Sequence, residues 1–170
     1  MRDLHGQIRS DATKRNRLDD IKVGVGGIRE VEFVAQLFQL IRGGRERELQ
    51  TRSTRAALSQ LGKLGIVTGE RVDSLQAAYA FLRNLEHRLQ YLDDQQTQLL
   101  PANDEDRQRI AEAMNLADWP ALLYALNRHR QQVTTEFEAL FAGGAEKDMS
   151  TDPLGKAEGV AESCRRIAET

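Results

Sequence analysis

The chain has 170 residues, 40% of them hydrophobic and 29% charged, which is long enough for one domain with a proper core. Its 24 Lys and Arg against 26 Asp and Glu leave a formal net charge of −2, so nothing draws the whole molecule to nucleic acid or to an anionic membrane, and any anion site must be local. The lone Cys164 excludes an internal disulfide, His5, His87 and His129 show no metal-ligand spacing, and neither a membrane-length apolar run nor a signal-peptide core is present, which together predict a soluble cytoplasmic protein without a metal centre of its own.

Aromatic residues make up 5% and strand-like alternation is nearly absent, so the pattern predicts an all-α fold: a helical bundle of about five helices behind a short, strand-like, glycine-rich opening segment. Residues 1–19 read as the polar, basic trailing end of a surface helix, with Lys14, Arg15 and Arg17 clustered. Ile21 and Val23 flank Lys22 in a candidate strand of two or three residues. From about Arg29 to Ile41, Val31, Val34, Phe38 and Ile41 recur at helical spacing, and Phe33, Leu37 and Leu40 widen that face. The polar minority of this helix, Arg29, Glu32, Gln36 and Gln39, falls at steps of three and four and forms one narrow stripe.

Gly43-Gly44 is expected to close this helix in the left-handed conformation, and Ser53 or Thr54 to cap a second, antiparallel helix carrying Ala57, Leu58, Leu61 and Leu64 before Gly65. Thr68 then caps a long third helix, where Leu75, Ala78, Leu82, Leu85, Leu89 and Leu92 alternate steps of three and four, the seam of a helix packed lengthwise in a bundle. Residues 93–102 read as a loop; Asn103 or Asp104 opens a fourth helix, and Asp118, before Trp119-Pro120, opens a fifth that runs to about Phe141. The bundle domain therefore spans 20–142, and residues 143–170, rich in glycine and charge, read as a linker with at most a short helix after Val160.

Function is sought first in the run from Asp20 to Phe33, which gathers Lys22, Gly24, Gly26, Gly27, Arg29, Glu30 and Glu32 around the start of the first helix. Two readings of the glycines stay open. Backbone N–H groups can approach a phosphate at a helix N-terminus, flanked by Lys22 and Arg29, or the glycines serve only the geometry of a tight turn; spacing alone leans to the turn, and neither phosphate-loop nor dinucleotide spacing is present. Glu30 and Glu32 are candidate ligands or a base, although acids in a first turn also complement the helix dipole; Glu32, on the polar stripe with Gln36, is expected to face a cleft or a buried polar network. Arg83, Glu86 and Arg88 read as a solvated, ion-paired face of the third helix, and His87 and His129 as boundary histidines. Asp104-Glu105-Asp106 sits at a helix start, where carboxylates cap the helix, and is rejected as a metal-binding pair.

The run Asp20-Ile-Lys-Val-Gly-Val-Gly-Gly-Ile-Arg-Glu-Val-Glu-Phe33, continued by Gln39-Leu-Ile-Arg-Gly-Gly-Arg-Glu46, Ala78-Tyr-Ala-Phe-Leu-Arg-Asn-Leu-Glu86, Gln96-Thr-Gln-Leu-Leu-Pro101 and Ala117-Asp-Trp-Pro120, resembles the bifunctional glutamine synthetase adenylyltransferase/adenylyl-removing enzymes over roughly residues 15–141. The resemblance implies an enzyme of two nucleotidyltransferase halves, each a catalytic domain followed by a helical domain, with Arg29 in Gly-Gly-Ile-Arg-Glu pointing to the amino-terminal, adenylyl-removing half. It further implies removal of AMP from a tyrosine of glutamine synthetase by phosphorolysis to ADP, addition of AMP from ATP by the other half, control by glutamine and the PII signal protein, and assistance by Mg2+. This chain departs from the family's catalytic pattern in lacking a Gly-Ser dipeptide and a strand-borne Asp-x-Asp. The expectation is thus a helical domain flanked by the end of a catalytic domain and the start of a linker, with no catalytic residue of its own and any Mg2+ ligands outside it. Lys22, Gly24, Gly26, Gly27 and Arg29 are expected to line the nucleotide or phosphate side of the cleft, with Asp20, Glu30, Glu32 and Gln36 in support. The alternatives are a non-catalytic module docking glutamine synthetase or PII, and the corresponding segment of the related PII uridylyltransferase, which those runs fit less well.

Overall fold

A computed structural model of the chain describes residues 19–93 and 98–143, so the readings of 1–19 as a trailing helix and of 143–170 as a linker lie, apart from Asp19 and Gly143, outside the described residues. Five α-helices follow the opening segment: α1 (Ile28–Arg42), α2 (Thr54–Lys63), α3 (Gly69–Asp93), α4 (Asp104–Ala113) and α5 (Trp119–Gly143), with one 3-10 turn at Arg47–Leu49. The all-α expectation holds, and the helix starts lie where the capping residues place them. Ser53 Oγ accepts from Ala56 N at 3.3 Å, Asn103 Oδ1 from Asp106 N at 2.8 Å and Asp118 Oδ1 from Ala121 N at 2.8 Å, each satisfying a donor that the first helical turn leaves without a carbonyl.

Two details differ from the sequence reading. Gly43 keeps a right-handed φ of −62° and its N–H still bonds to Gln39 O, so α1 ends without a left-handed residue. The left-handed closures fall at Gly65 (φ 66°) and Asn115 (φ 56°) instead. At Gly65, Ile66 N reaches back to Leu61 O and Gly65 N to Gly62 O; at Asn115, Leu116 N reaches Ala111 O and Asn115 N reaches Glu112 O. Both patterns satisfy the last free carbonyls of a helix, and Asn is the side chain that best tolerates this conformation after glycine. The expected strand at Ile21–Val23 is likewise a set of turns. Among the described residues, strand-like pairing is confined to one antiparallel bridge, Asp20 with Leu99, made by Ile21 N to Gln98 O (3.0 Å) and Leu100 N to Asp19 O (3.1 Å).

The long helix α3 is the centre of the bundle. Its seam residues Leu75, Ala78, Leu82, Leu85 and Leu89 are all buried. The N-terminal part of α3 meets α1 and α2, whose buried faces are Val31, Val34 and Ala35, and Ala57, Leu58 and Leu61. Its C-terminal part packs into a cluster with Ile21, Ile28, Ile110, Ala111, Leu122 and Leu126, which joins the opening segment to α4 and α5. Full burial of one such aliphatic side chain contributes about 1.5–3 kcal/mol, so Ile21 and Ile28 clamp both ends of the glycine turn onto the core.

Candidate functional site at the glycine turn

Between these two isoleucines the chain reverses within a few residues, and its polar groups are satisfied locally. Asp20 Oδ1 accepts from Lys22 N (2.8 Å) and Val23 N (3.0 Å), forming an Asx turn, while Asp20 O accepts from Gly24 N (3.1 Å). Gly27 N donates to Gly24 O, Ile28 N to Ile21 O and Arg29 N to Lys22 O, at 3.0–3.2 Å. Gly26 N donates to Glu30 Oε2 at 3.1 Å. The amides of Gly24, Gly26 and Gly27 are therefore donors inside the turn.

Close packing explains two of the glycines. Gly26 has φ 69°, and a Cβ there would lie 2.3 Å from Arg130 O and 2.6 Å from Arg130 Cα, so the turn rests directly on the backbone of α5. A Cβ on Gly27 would lie 2.7 Å from both Gly24 O and Lys22 O. The Arg130 guanidinium reaches back from α5 to Asp20 O at 2.9 Å. Burial pulls its pKa below the usual arginine value, and the charges of Asp19, Asp20 and Glu30 oppose that shift. Asp20 and Glu30 thus act on both the backbone of the turn and the cation beneath it.

Lys22 is held from the other side. Its Nζ lies 3.6 Å from Oε1 of Glu86 on α3, while Oε2 of Glu86 accepts from Arg83 NH1 at 2.5 Å. Glu86 is 2% exposed, the one buried charged residue among the described residues. The reading of Arg83, Glu86 and Arg88 as a solvated face is corrected accordingly: Arg88 is exposed, but Glu86 lies in the interior. The physical reason is helical register. Tyr79 and Glu86 each directly follow a seam residue, Ala78 and Leu85, so both flank the seam on the same side of α3. Tyr79 OH donates to Glu32 Oε1 at 3.2 Å, and the Arg83 guanidinium lies 6.0 Å from the Tyr79 ring centroid. Burial raises the Tyr79 pKa, against a hydrogen bond with Thr54 that lowers it. A polar chain Lys22–Glu86–Arg83–Tyr79–Glu32 therefore runs from the glycine turn across α3 to α1.

The polar stripe of α1 divides along its length. Arg29 and Gln36 are exposed, Glu32 is turned to Tyr79, and Gln39 donates to both Leu49 O and Thr51 O at 2.7 Å, tying down the connection to α2. Glu32 therefore binds α3 and not the glycine turn. Arg29 adjoins Lys22 through the backbone bond between Arg29 N and Lys22 O, which places two cationic residues side by side at the helix start. Sequence reasoning placed Glu86 on a solvated face and did not single out Tyr79 or Arg130; the position directly after each seam residue is the signal that would have found the first two.

No cluster of three metal-ligating side chains occurs among the described residues. The carboxylates near the turn do not fit Mg2+: both oxygens of Glu86 face cations, Glu32 accepts from Tyr79, and Glu30 and Asp20 serve the turn amides. In Asp104-Glu105-Asp106, Asp104 pairs with Arg107, Glu105 with Arg109, and Asp106 with Asn103 and Arg109, as expected of a helix start. No helix is long and apolar enough to cross a membrane among the described residues. His129 packs on Phe81 with ring centroids 4.6 Å apart, and burial lowers its pKa, with Arg128 adding to the effect.

Residues 2–141 match the family model described as GlnD PII-uridylyltransferase, and the chain belongs to that family. Among curated proteins it is similar to bifunctional glutamine synthetase adenylyltransferase/adenylyl-removing enzymes: 57% identical over 156 residues to that of Chromobacterium violaceum, covering 92% of this chain and 17% of that protein. The enzyme of Aromatoleum aromaticum is 52% identical over 154 residues (91% and 16%), and that of Thioalkalivibrio sulfidiphilus 44% over 160 (92% and 16%). The chain thus spans only 16–17% of the length of these relatives. One helical module matches both a model named for uridylyl transfer and proteins named for adenylyl transfer and removal.

Proposed function

We propose that this chain is the helical module of a glutamine synthetase adenylyltransferase/adenylyl-removing enzyme and that it completes the nucleotide cleft of the adenylyl-removing half. In that half an oxygen of inorganic phosphate attacks the phosphorus of the AMP group, the bond to the tyrosine oxygen of glutamine synthetase breaks, and ADP and the unmodified tyrosine leave. Such transfers depend chiefly on positioning and on cations set against the phosphoryl oxygens. This chain's contribution is Lys22, with Arg29 beside it; Gly24, Gly26 and Gly27 shape the turn that presents them, and Asp20 and Glu30 brace it. Any Mg2+ is held by residues outside this chain, and the PII protein, as a regulator, acts on the whole enzyme.

The observation that carries the reading is the side chain of Lys22, which remains 36% exposed while its ammonium is aimed by the buried Glu86. The Lys22–Glu86 pair lies at 3.6 Å, longer than a close charge-assisted hydrogen bond, and the solvent-facing part of the lysine side chain is where an anion can approach it. The uridylyltransferase reading has the family description in its favour, but the relatives at 44–57% identity carry the adenylyl names. In the full-length enzyme Lys22→Ala should lower the rate of AMP removal by about 10²-fold, the scale for loss of one preorganised donor, and the melting temperature by only roughly 5 °C. Loss of activity no greater than the loss of folded protein would assign Lys22 a structural role and overturn the reading.

A further inference from the structure

We propose that Glu86 is a positioning residue that holds Lys22 and Arg83 together as a two-cation clamp for a phosphate group, a proposal that rests on the phosphate-side role given to Lys22 above. A carboxylate buried to 2% is costly to keep charged, and an apolar side chain of similar volume at that point of α3 would stabilise the fold as well or better. A carboxylate in this position is suited to placing cations. Each of its oxygens faces a different one: Oε1 faces Lys22 from the opening segment, and Oε2 faces Arg83 one helical turn away on α3. Both cations keep similar access to solvent, 36% for Lys22 and 38% for Arg83, so each has a face on the carboxylate and a face outward.

Two cations share the one buried carboxylate, the other acid of the polar chain, Glu32, is engaged by the Tyr79 hydroxyl, and Arg29 stands exposed on the backbone adjoining Lys22. Arg83 also has the better-ordered fork: the Tyr79 ring lies beneath its guanidinium, and Tyr79 is itself tied to Glu32. A guanidinium with one N–H on Glu86 has others suited to a tetrahedral phosphate, and the lysine supplies a point charge beside it. Either free phosphate or a phosphate of the nucleotide can supply that chemistry.

The test is equilibrium binding of inorganic phosphate, ADP and adenosine to the full-length enzyme carrying Lys22→Ala, Arg83→Ala, Arg83→Lys or Glu86→Gln, with steady-state kinetics and melting curves on the same samples. Arg83→Ala should weaken the phosphate-bearing ligand about tenfold, the scale of a charge-assisted hydrogen bond, and leave adenosine unchanged. A loss shared by inorganic phosphate and ADP identifies the attacking group as the occupant, because that phosphate becomes the β-phosphate of ADP, and a loss confined to ADP identifies the phosphate of the AMP moiety. Arg83→Lys should recover only the part of the affinity owed to charge alone, and Glu86→Gln should raise KM for that same ligand about fivefold with kcat changed less. Unchanged binding in Arg83→Ala and Glu86→Gln would overturn the clamp; if Lys22→Ala still weakens phosphate or ADP, the function proposed above stands without it, and if it does not, both fall. Should Glu86→Gln fold poorly, the two Arg83 variants decide, because that side chain is partly exposed.

Discussion

Replacing Gly26 by alanine tests the close approach of the glycine turn to α5. Two costs arise at this position. An alanine at φ 69° sits in the left-handed region, which costs about 1–2 kcal/mol. Its Cβ would also lie 2.3 Å from Arg130 O and 2.7 Å from Arg130 C, and relieving an overlap with the backbone of a long helix costs about 1–3 kcal/mol more. Gly65 provides the control, since it has nearly the same φ, 66°, but an added Cβ there meets nothing within 4 Å. Urea unfolding followed by circular dichroism should therefore give a loss of about 1–2 kcal/mol for Gly65→Ala and about 2–5 kcal/mol for Gly26→Ala. The difference between the two variants isolates the packing contribution. Equal losses would show that the turn does not rest on α5 as described, and the rigid placement of Lys22 would lose its basis.

Three further outcomes follow from the same geometry. Tyr79 titrates later than an ordinary phenol because burial disfavours its charged form, so Tyr79→Phe should remove a late-rising component from the ultraviolet titration of the folded protein. Its folded pKa lies above the unfolded value of 10.0, so the stability it confers is complete below pH 10 and is lost as pH rises through the folded value; Tyr79→Phe should remove that alkaline loss. His129 has the opposite sign: its folded pKa lies below 6.5, its contribution is present above pH 6.5 and falls away as pH drops through the folded value, and His129→Gln should flatten urea midpoints measured below pH 6.5. Finally, Asp118→Ala removes the cap of α5 and should cost about 1 kcal/mol in the same unfolding assay, with no effect on phosphate binding.

The helices were legible because their signals are local. Ser53, Asn103 and Asp118 are short polar side chains placed just before apolar periodicity, and the alternating steps from Leu75 to Leu89 specify a buried edge whatever packs against it. Gly43 misled because a glycine permits a left-handed residue without requiring one, and Asn115 was passed over because its left-handed conformation depends on how Leu116 folds back onto α4. In the site, Lys22, Asp20 and Glu30 could be singled out from their crowding around three glycines. The partners that hold them could not. Glu86 and Arg130 lie 64 and 108 residues after Lys22 in sequence, and a glutamate next to an arginine at helical spacing has the same spelling whether the pair faces water or the core. Only the packing of the opening segment against α3 and α5 separates those cases.

The most direct measurement is covalent labelling of the full-length enzyme with an acyl-phosphate derivative of ADP, which transfers its acyl group to a lysine beside the bound phosphate and is mapped by peptide mass spectrometry. Acylation is expected at Lys22, suppressed by excess ADP and unaffected by adenosine. Labelling of other lysines in an ADP-protectable manner while Lys22 remains unmodified would contradict it.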